Sequence, residues 1–458
     1  MTARINLLEK APLLKTVLKS QGLQPALTIL MLAGFVLAML TGWFGTPVGS
    51  RNFGIVFVWI VWWGLLIIVL VPFLGRAWCM VCPIPALGEW LQRGSIIQRT
   101  SGRLRTRHRR WPRRFKNMWL QNIGFLILAS FSTIILTRPN VSAWVLFGLM
   151  AAAVGLSLFF DNRVFCRYVC PVGGFIGLYA MMAPVELRVR DCRTCAQHRT
   201  KDCVTGNERG YGCPWMVFPG KLRRNTYCGL CMECLKTCPK DNITINLRPF
   251  GSDLFVMEEH RLDEAFKAFI MLSCALLYSA VLLGPWGWLK QWANIDTLAH
   301  WGVYVAALWG VNLLLVPGVF GVCVAVSRRI SRLEVPLRQL FTDYAYACVP
   351  LGLAAWIAFS LSFVFVNGSY ALPVISDPFG WGWNLFGTAT QEWTPVLPGL
   401  VSFLQVGVLT IGLLFAVNTV YRITTHHITD RRRTFQAAMP LVLPLAGIAL
   451  LFLWLYLG

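Results

Sequence analysis

Charged residues are scarce in this chain of 458 residues. Asp, Glu, Lys and Arg together make up 14% of it, whereas 56% is hydrophobic, and the mean hydropathy is +0.58. A soluble globular domain carries about a quarter charged residues, so this shortage excludes an ordinary soluble enzyme. The composition predicts a polytopic membrane protein.

Histidines and haem or nucleotide motifs are also few. Six histidines occur, and none falls near the middle of a predicted span, so a pair of b-type haems crossing the membrane would have no ligands. The sequence has no C-x-x-C-H motif, which excludes attached c-type haem, and no glycine-rich nucleotide-binding loop. Redox chemistry, if the chain performs any, is therefore expected to depend on its 15 cysteines.

Long apolar runs are what the chain has instead. Nine of them approach the roughly 20 residues needed to cross the hydrocarbon core. The first lacks a small-residue cleavage site, so we expect it to be retained as a helix. The predicted spans are 24–44, 53–74, 118–136, 143–160, 265–288, 301–325, 344–366, 396–420 and 438–457.

Positive charge is concentrated in alternate connections between these runs. Lys and Arg outnumber Asp and Glu by 42 to 20, a net charge of +22. With nine spans, their distribution predicts a bacterial inner-membrane protein with a cytoplasmic N-terminus, cytoplasmic basic loops and a periplasmic C-terminus. The densest run, "RLRTRHRRWPRRFK" at 103–116, indicates contact with membrane lipid. Docking of an acidic partner is the alternative, and we expect no nucleic-acid binding.

The stretch "CGLCMECLKTCP" has the spacing of a bacterial two-cluster ferredoxin, in which the fourth cysteine binds the other cluster. Zinc is the alternative, because four-cysteine zinc sites also use C-x2-C, but the density and the Cys-Pro ending favour iron–sulfur. The upstream cysteines, which end in Cys213-Pro214, supply the second set. Cys203 is preferred to His198 as its third ligand, and His198 stays possible. The predicted [4Fe-4S] ligands are Cys192, Cys195, Cys203 and Cys238 for cluster A, and Cys213, Cys228, Cys231 and Cys234 for cluster B.

Two further cysteine pairs precede proline at predicted cytoplasmic helix ends. They occur in "GRAWCMVCPIPALGEWL" and "NRVFCRYVCPVGGFIGLYA", and their equivalent positions predict a shared four-thiol site. Its occupant could be a third [4Fe-4S] cluster, a soft metal such as copper, or a dithiol–disulfide couple. The pairs, Cys79 with Cys82 and Cys166 with Cys170, are referred to below as the Cys-Pro site.

The chain is thus expected to form three blocks. Residues 1–185 form a four-helix membrane unit with both Cys-Pro pairs, 186–262 a ferredoxin-like insert, and 263–458 a five-helix membrane unit of unassigned role. The fold class is all-α and polytopic, with about nine transmembrane helices and a small α+β two-cluster cytoplasmic insert. Cys274, Cys323 and Cys348 fall singly in the last block and are expected to be packing residues.

The two Cys-Pro motifs, followed by the ferredoxin motif, resemble the membrane polyferredoxins of the NapH/NosR type over roughly residues 20–250. The resemblance implies quinol-linked electron transfer through iron–sulfur clusters to a protein redox partner of a respiratory or periplasmic reductase. One departure is that the first pair reads C-x2-C-P, with Trp78 where the family has a cysteine.

Three functions follow as hypotheses. The first is quinol-linked electron transfer, with a quinone pocket lined by Arg76, Trp78 and Tyr168. The second is a copper-binding and copper-reducing assembly factor that uses the Cys-Pro cysteines. The third, a redox-linked transporter, is weaker because the last block shows few intramembrane polar residues, of which the clearest are Asn312, Gln405 and Asn418.

Overall fold

The computed structural model describes residues 4–97 and 109–457, so the basic run at 103–116 lies partly outside the described residues. The described part is mostly helical, and eight of its helices are long and apolar enough to cross a membrane. The predicted fold class is confirmed at this level. These helices are Leu23–Phe44, Phe53–Leu74, Pro139–Phe159, Leu262–Leu282, Leu298–Ser331, Leu337–Ser376, Pro398–His427 and Arg431–Leu457.

The remaining predicted span, 118–136, is a pair of shorter helices, Trp119–Ser130 and Ser132–Thr137. The chain turns between them at Phe131, where φ is −111° and ψ is 10°. Ser130 donates its hydroxyl to the carbonyl of Leu126 at 2.8 Å, a back-bond that bends helices. The indole of Trp301 donates to the carbonyl of Ser130 at 3.1 Å. The break therefore leaves no unpaired carbonyl at that residue.

Shorter helices connect the spans and carry six of the 15 cysteines. Those of four or more residues are Leu7–Lys10, Pro12–Lys19, Trp78–Val81, Ala86–Arg93, Phe165–Val169, Pro171–Tyr179, Cys192–Gln197, Asp202–Thr205, Glu233–Thr237, Ser252–Phe255 and Gly287–Ala293.

The chain divides into two compact units. The first comprises Met1–Met39, Val69–Gln121 and Trp144–Asp253, and the second comprises Leu40–Ile68, Asn122–Ala143 and Leu254–Gly458. All twelve cysteines of the predicted sites fall within the first unit, and the three single cysteines fall within the second. The division into blocks 1–185, 186–262 and 263–458 stays a prediction.

The first unit contains a small antiparallel sheet. Its strands are β1 (Ile5–Asn6), β2 (Val185–Val189) and β3 (Ile243–Leu247), in the order β1-β3-β2, with Leu187 of β2 opposite Ile245 of β3. One face of the sheet packs into a buried apolar cluster that includes Leu187, Ile243, Ile245, Cys203 and Cys234. The sheet therefore supports the segments that hold the predicted ferredoxin cysteines.

The other residues of β2 form a buried charge network in the same unit. Arg188 lies 3.2 Å from Glu186 and 3.2 Å from Asp253, and Arg248 lies 2.9 Å from Glu186. Two arginines and two carboxylates thus compensate one another, which buried charges require. The network fixes the chain that leads from the sheet back to residue 253.

The second unit contains more buried ionisable groups than the sequence suggested. His260 hydrogen-bonds Asp343 at 2.8 Å and stacks on Tyr346 at 3.8 Å. Tyr346 in turn donates its hydroxyl to Glu264, and Lys267 is fully buried. The second unit therefore has more buried polar groups than the sequence indicated, which weakens one argument against a transporter. The contacts of these groups, however, tie helices together.

Of the three intramembrane polar residues, Gln405 and Asn312 both bond to a neighbouring helix. The Gln405 amide donates to the carbonyl of Ala358 at 2.9 Å and to the hydroxyl of Ser362 at 2.7 Å. Asn312 is buried and accepts the Cys274 thiol at 3.3 Å, whereas Asn418 is exposed. Cys274 is thus a packing residue of the second unit.

We expect Asp343→Leu to destabilise the second unit, because it leaves the His260 ring without its buried partner. The expected loss is about 1–3 kcal/mol, measured as thermal unfolding in detergent. Asp296→Leu is the matched control, since Asp296 pairs with His300 in an exposed position and its loss should leave the unfolding temperature unchanged. Equal shifts in the two variants would contradict a structural role for the buried pair.

Candidate iron–sulfur and redox site

The second cysteines of the two Cys-Pro pairs have the same backbone conformation, although the helical turns before them differ. The C-x2-C pair lies on an α-helical turn, Trp78–Val81, whereas the C-x3-C pair lies on a wider π-helical turn, Phe165–Val169. Cys82 then has φ −59° and ψ 126°, and Cys170 has φ −59° and ψ 116°. A residue before proline is forced away from the α region. The wider turn therefore absorbs the extra residue of the second pair.

The four thiols of the Cys-Pro site lie close enough to influence one another electrostatically. Burial raises the pKa of Cys166, and the neighbouring Cys170, Cys82 and Cys79 thiolates raise it further. Burial likewise raises the pKa of Cys170 to about 11, although the Gly173 N–H, which donates to its Sγ at 3.2 Å, lowers it. Since thiolates bind metals and clusters, this group needs a compensating positive charge.

Arg163 provides one such charge. It is buried and donates to Glu89 Oε2 from Nε at 2.9 Å and from Nη2 at 2.5 Å. Its Nη1 donates to the Cys79 carbonyl at 2.6 Å. The guanidinium lowers the pKa of both Cys82 and Cys166, against the stronger effect of burial. Arg163 therefore stabilises thiolates and fixes the backbone of the first pair.

Arg76 provides the second charge and is 2% exposed. Its Nη2 donates to the Gly173 carbonyl at 2.9 Å, and its Nη1 donates to the Thr226 carbonyl. The guanidinium lies over the Trp215 ring, 4.3 Å from the centroid. It lowers the pKa of Cys170 and of Cys228. Arg76 therefore joins the Cys-Pro site to the cluster B segment.

The residues predicted to line a quinone pocket are largely engaged in packing. Arg76 is enclosed as described, and Tyr168 is buried and stacks on Trp111 at 5.9 Å with an interplanar angle of 3°. Trp78 is half-buried on the first Cys-Pro turn. Their role towards quinone stays a prediction.

An open pocket lies on the other side of Arg163. It is lined in part by Gln24, Thr28, Glu89, Trp90 and Tyr211. Glu89 faces it from the amphipathic Ala86–Arg93 helix, which directly follows the first Cys-Pro pair.

The cluster B segment wraps around a concave loop. Leu230 and Met232, on either side of Cys231, both have positive φ, 48° and 60°, an arrangement in which successive N–H groups converge on an anion. Gly229 allows close approach, because a Cβ there would lie 2.1 Å from Nε1 of Trp215. Hydrogen bonding to Cys213 and then burial raise the pKa of Cys231, so Cys213 lies with this group.

The cluster A cysteines also lie together. Burial raises the pKa of Cys203 to about 11, and Cys195 and Cys238 add to the rise. Asn242 donates its amide to Cys195 Sγ at 3.2 Å. His198 instead contacts the Thr200 hydroxyl at 3.0 Å. This placement supports Cys203 as the third ligand.

The three thiol groups adjoin one another in a fixed order. Arg76 links the Cys-Pro site to Cys228, as described above. Burial raises the pKa of Cys234 of the cluster B group, and Cys231, Cys228 and Cys203 raise it further. Because Cys203 belongs to cluster A, the two groups are neighbours. The order runs from the buried Cys-Pro site to Cys192, which is exposed.

The first unit fits a buried, electron-rich group next to these thiols. Nε1 of Trp215 and Nε of Arg76 are buried donors without an acceptor among the described residues, and Trp215 touches the Gly229 loop. Sulfide and thiolate sulfurs accept such donors. Across the described ranges, no three His, Cys, Asp or Glu side chains are grouped as ligands of one metal ion.

Sequence reasoning did not identify Arg163, Glu89 or Trp215. A signal was present for the arginine, because Arg76 stands three residues before Cys79 and Arg163 stands three residues before Cys166. Nothing in the spacing indicates Glu89 or Trp215, whose contacts join distant parts of the chain.

Comparison with known proteins supports iron–sulfur chemistry. Residues 55–112 and 142–189 match a family described as a 4Fe-4S binding domain. These two segments contain the first and the second Cys-Pro pair, respectively.

The chain is also similar to a protein of Escherichia coli (strain K12) named "Putative electron transport protein YccM". The two are 24% identical over 198 residues, 38% of this chain and 51% of the relative. Two uncharacterized proteins of Methanocaldococcus jannaschii are 25% and 24% identical over 88 and 116 residues, which are 19% and 24% of this chain and 33% and 42% of the relatives. The chain spans about half, or less, of the length of these relatives. No solved structure matches.

Together these findings support a 4Fe-4S membrane electron-transfer protein. The resemblance to the membrane polyferredoxins, stated from the sequence, is confirmed at that level. The apolar helices, the 4Fe-4S family match and the similarity to a protein named for electron transport thus agree with one another.

We expect Arg76→Gln to lower the reduction potential of the centres that adjoin Arg76, because a nearby positive charge favours the reduced, more negative state. The expected change is tens of millivolts, ~59 mV being a tenfold shift for one electron. It is measured by EPR-monitored redox titration. Arg76→Lys keeps the charge and is the matched control.

Potentials that fall equally in the lysine variant would show that guanidinium packing on Trp215, and not charge, is what matters. Unchanged potentials in both variants would contradict the electrostatic role.

Proposed function

We propose that this protein is an inner-membrane electron-transfer protein that exchanges electrons between quinol in the membrane and a protein redox partner. The observation that carries the proposal is the ordered series of three four-thiol groups, which runs from the buried Cys-Pro site to the exposed Cys192. Such an arrangement would let electrons pass between the buried end and the exposed end of one compact unit.

The residues that would hold the clusters are the twelve cysteines of the first unit. Iron–sulfur clusters supply one-electron chemistry when they are bound. The chain's own residues supply charge compensation, hydrogen bonds to sulfur and enclosure. Arg163 and Arg76 compensate thiolate charge, Gly173 donates an N–H to a sulfur, and Trp215 and the Gly229 loop exclude water. Cluster A would be held by Cys192, Cys195, Cys203 and Cys238, cluster B by Cys213, Cys228, Cys231 and Cys234, and the third site by Cys79, Cys82, Cys166 and Cys170.

For the Cys-Pro site we favour a third [4Fe-4S] cluster over copper. The family match supports this choice, because it covers both Cys-Pro segments and describes 4Fe-4S binding. Both Cys-Pro turns also end in the same conformation before proline, as expected for equivalent halves of one site. Copper becomes an outcome of the test below.

For quinol we favour the pocket at Trp90. It is open, whereas Arg76 and Tyr168 are enclosed, and Arg163 connects it to the Cys79 carbonyl. Glu89 is held ionised in its wall, because Arg163 and Arg93 lower its pKa more than burial raises it. The aromatic ring of Trp90 offers a flat apolar surface to a quinone ring.

We propose that the broken helix pair between residues 119 and 137 crosses the membrane. The Cys-Pro pairs lie together, and each follows the end of a long apolar helix. The chain between them must then cross an even number of times, and Pro139–Phe159 is one crossing. Nine crossings result, and with basic loops inside the N-terminus is cytoplasmic and the C-terminus periplasmic.

We expect about twelve iron atoms and equal sulfide per chain in anaerobically purified protein. The double variant Cys82→Ser with Cys170→Ser should retain about eight, because it removes ligands of the Cys-Pro site only. Metal analysis with EPR measures both. Cys323→Ser, a single cysteine of the second unit, is the control and should retain all the iron. Stoichiometric copper in place of the third cluster would contradict the assignment.

The same samples test the quinol step. A quinol analogue should reduce the EPR-active centres, and Trp90→Ala should slow this reduction about tenfold or more while leaving reduction by dithionite unchanged, since binding-pocket aromatics contribute roughly 1–3 kcal/mol. Centres that do not respond to quinol at all would contradict quinol-linked transfer. A slower rate in Trp78→Ala alone would place quinone at the residues predicted from sequence.

We expect alkaline phosphatase fused after the Arg431–Leu457 helix to be active, because the enzyme folds only outside the cytoplasm. A fusion after residue 334, between Leu298–Ser331 and Leu337–Ser376, is the control and should be inactive. Inactive enzyme at the C-terminus would mean that residues 119–137 do not cross.

A further inference from the structure

Cys192 differs from the other eleven cysteines of the predicted sites in its exposure. It is exposed, whereas the others are buried or only partly exposed. Burial protects a redox centre from water, so an exposed ligand marks the place where another molecule can approach it. The surroundings of Cys192 therefore indicate what kind of molecule that is.

Three exposed cations lie on segments that carry or contact the cluster A cysteines. Arg193 follows Cys192 directly on the Cys192–Gln197 helix. Lys221 ends the Pro219–Lys221 turn, where a Cβ on Gly220 would lie 2.9 Å from the Cβ of Cys195. Lys240 lies two residues after Cys238. We call Arg193, Lys221 and Lys240 the basic rim.

No residue of the basic rim forms a salt bridge with another described residue, and all three are exposed. The Arg193 charge acts on Asp191, whose pKa it helps to lower after the Thr194 and Arg193 hydrogen bonds. Neighbouring cations behave differently. Arg190 pairs with Glu9 at 2.7 Å, and Lys19 pairs with Asp241 at 2.9 Å. The acidic residue nearest in sequence, Asp191, accepts the N–H groups of Arg193 and Thr194 at 2.9 Å each and so caps the helix.

A general excess of Lys and Arg in one set of loops is explained by membrane topology. That explanation does not require three exposed cations without salt bridges on the segments near the one exposed thiol. A rim with an excess of one sign steers and orients a partner of the opposite sign.

We propose that the basic rim around Cys192 is the docking surface for an acidic electron-carrier protein. The inference rests on the proposed function, since it names the partner class and the place where that partner binds. The Arg193 guanidinium and the Lys221 and Lys240 ammonium groups would meet carboxylates on the partner. The exposed edge of the cluster A group then lies at the centre of the contact.

The test uses the full-length protein in nanodiscs of zwitterionic lipid, with a purified acidic flavodoxin as the probe and a basic cytochrome c as the opposite probe. Association rates are measured by surface plasmon resonance at low and high salt. The flavodoxin should bind in a salt-sensitive manner and the cytochrome c should not bind. Zero-length carbodiimide coupling should join flavodoxin carboxylates to Lys221 and Lys240, which mass spectrometry would locate.

The variant that reverses the rim is Arg193→Glu, Lys221→Glu and Lys240→Glu together. We expect flavodoxin to associate about tenfold or more slowly with it, and the Gln equivalents to show a smaller loss. The matched control reverses three exposed arginines of the second unit, Arg431→Glu, Arg432→Glu and Arg433→Glu, which changes the net charge equally. Its association rate should remain within about twofold of the wild type.

Two results would overturn the proposal. One is flavodoxin binding to the reversed rim as fast as to the wild type, and the other is an equal loss in the control, which would show a general effect of net charge. Iron content and EPR signals of the same samples separate this proposal from the proposed function. Normal clusters without rim-dependent binding would overturn the docking surface alone, whereas absent clusters would overturn the electron-transfer assignment.

Discussion

Burial of negatively charged thiolates next to a membrane is the constraint on which the first unit depends. Four sulfurs in a buried site repel one another, and burial by itself favours their neutral form. Arg163 and Arg76 supply the opposing charge. Each lies three residues before the first cysteine of a Cys-Pro pair. Glu89 then holds Arg163, and the Gly173 and Thr226 carbonyls with the Trp215 ring hold Arg76. Buried charges of this kind are stable only when every partner is in place.

The same contacts explain how membrane helices and a soluble-type insert become one unit. Arg76 starts at the end of a long apolar helix and reaches the segment just before Cys228. Trp215 is covered by Arg76 on one side and touches Gly229 on the other, so the insert cannot move without disturbing the Cys-Pro site. Proline adds a local constraint, because Cys82 and Cys170 are forced into one conformation although their spacings differ. The π-helical turn before Cys170 is the structural consequence.

This organisation gives the thiol groups graded environments. The Cys-Pro site is enclosed by apolar helix ends and arginines, and the Cys228 group by a tight loop and the sheet. The Cys192 group extends from Cys203 in the apolar cluster to Cys192 at the exposed surface. Reduction potential depends on hydrogen bonds to sulfur, net charge and exposure, and each of these differs between the groups. The second unit shares none of these thiols, and its buried His260, Asp343 and Glu264 tie helices together.

The sequence by itself determined the membrane class, the positions of eight long helices and the local geometry of the cysteine motifs, because hydrophobic length, proline sterics and x2 spacing act over a few neighbouring residues. Only the tertiary structure decided that Cys203 is buried within electrostatic range of Cys195 and Cys238, and that Arg76 is enclosed instead of lining an open pocket. The break at Phe131 and the buried Asp343 pair likewise depend on contacts with Trp301 and His260, far away in the chain. Such contacts form only when helices pack, and no local pattern specifies them.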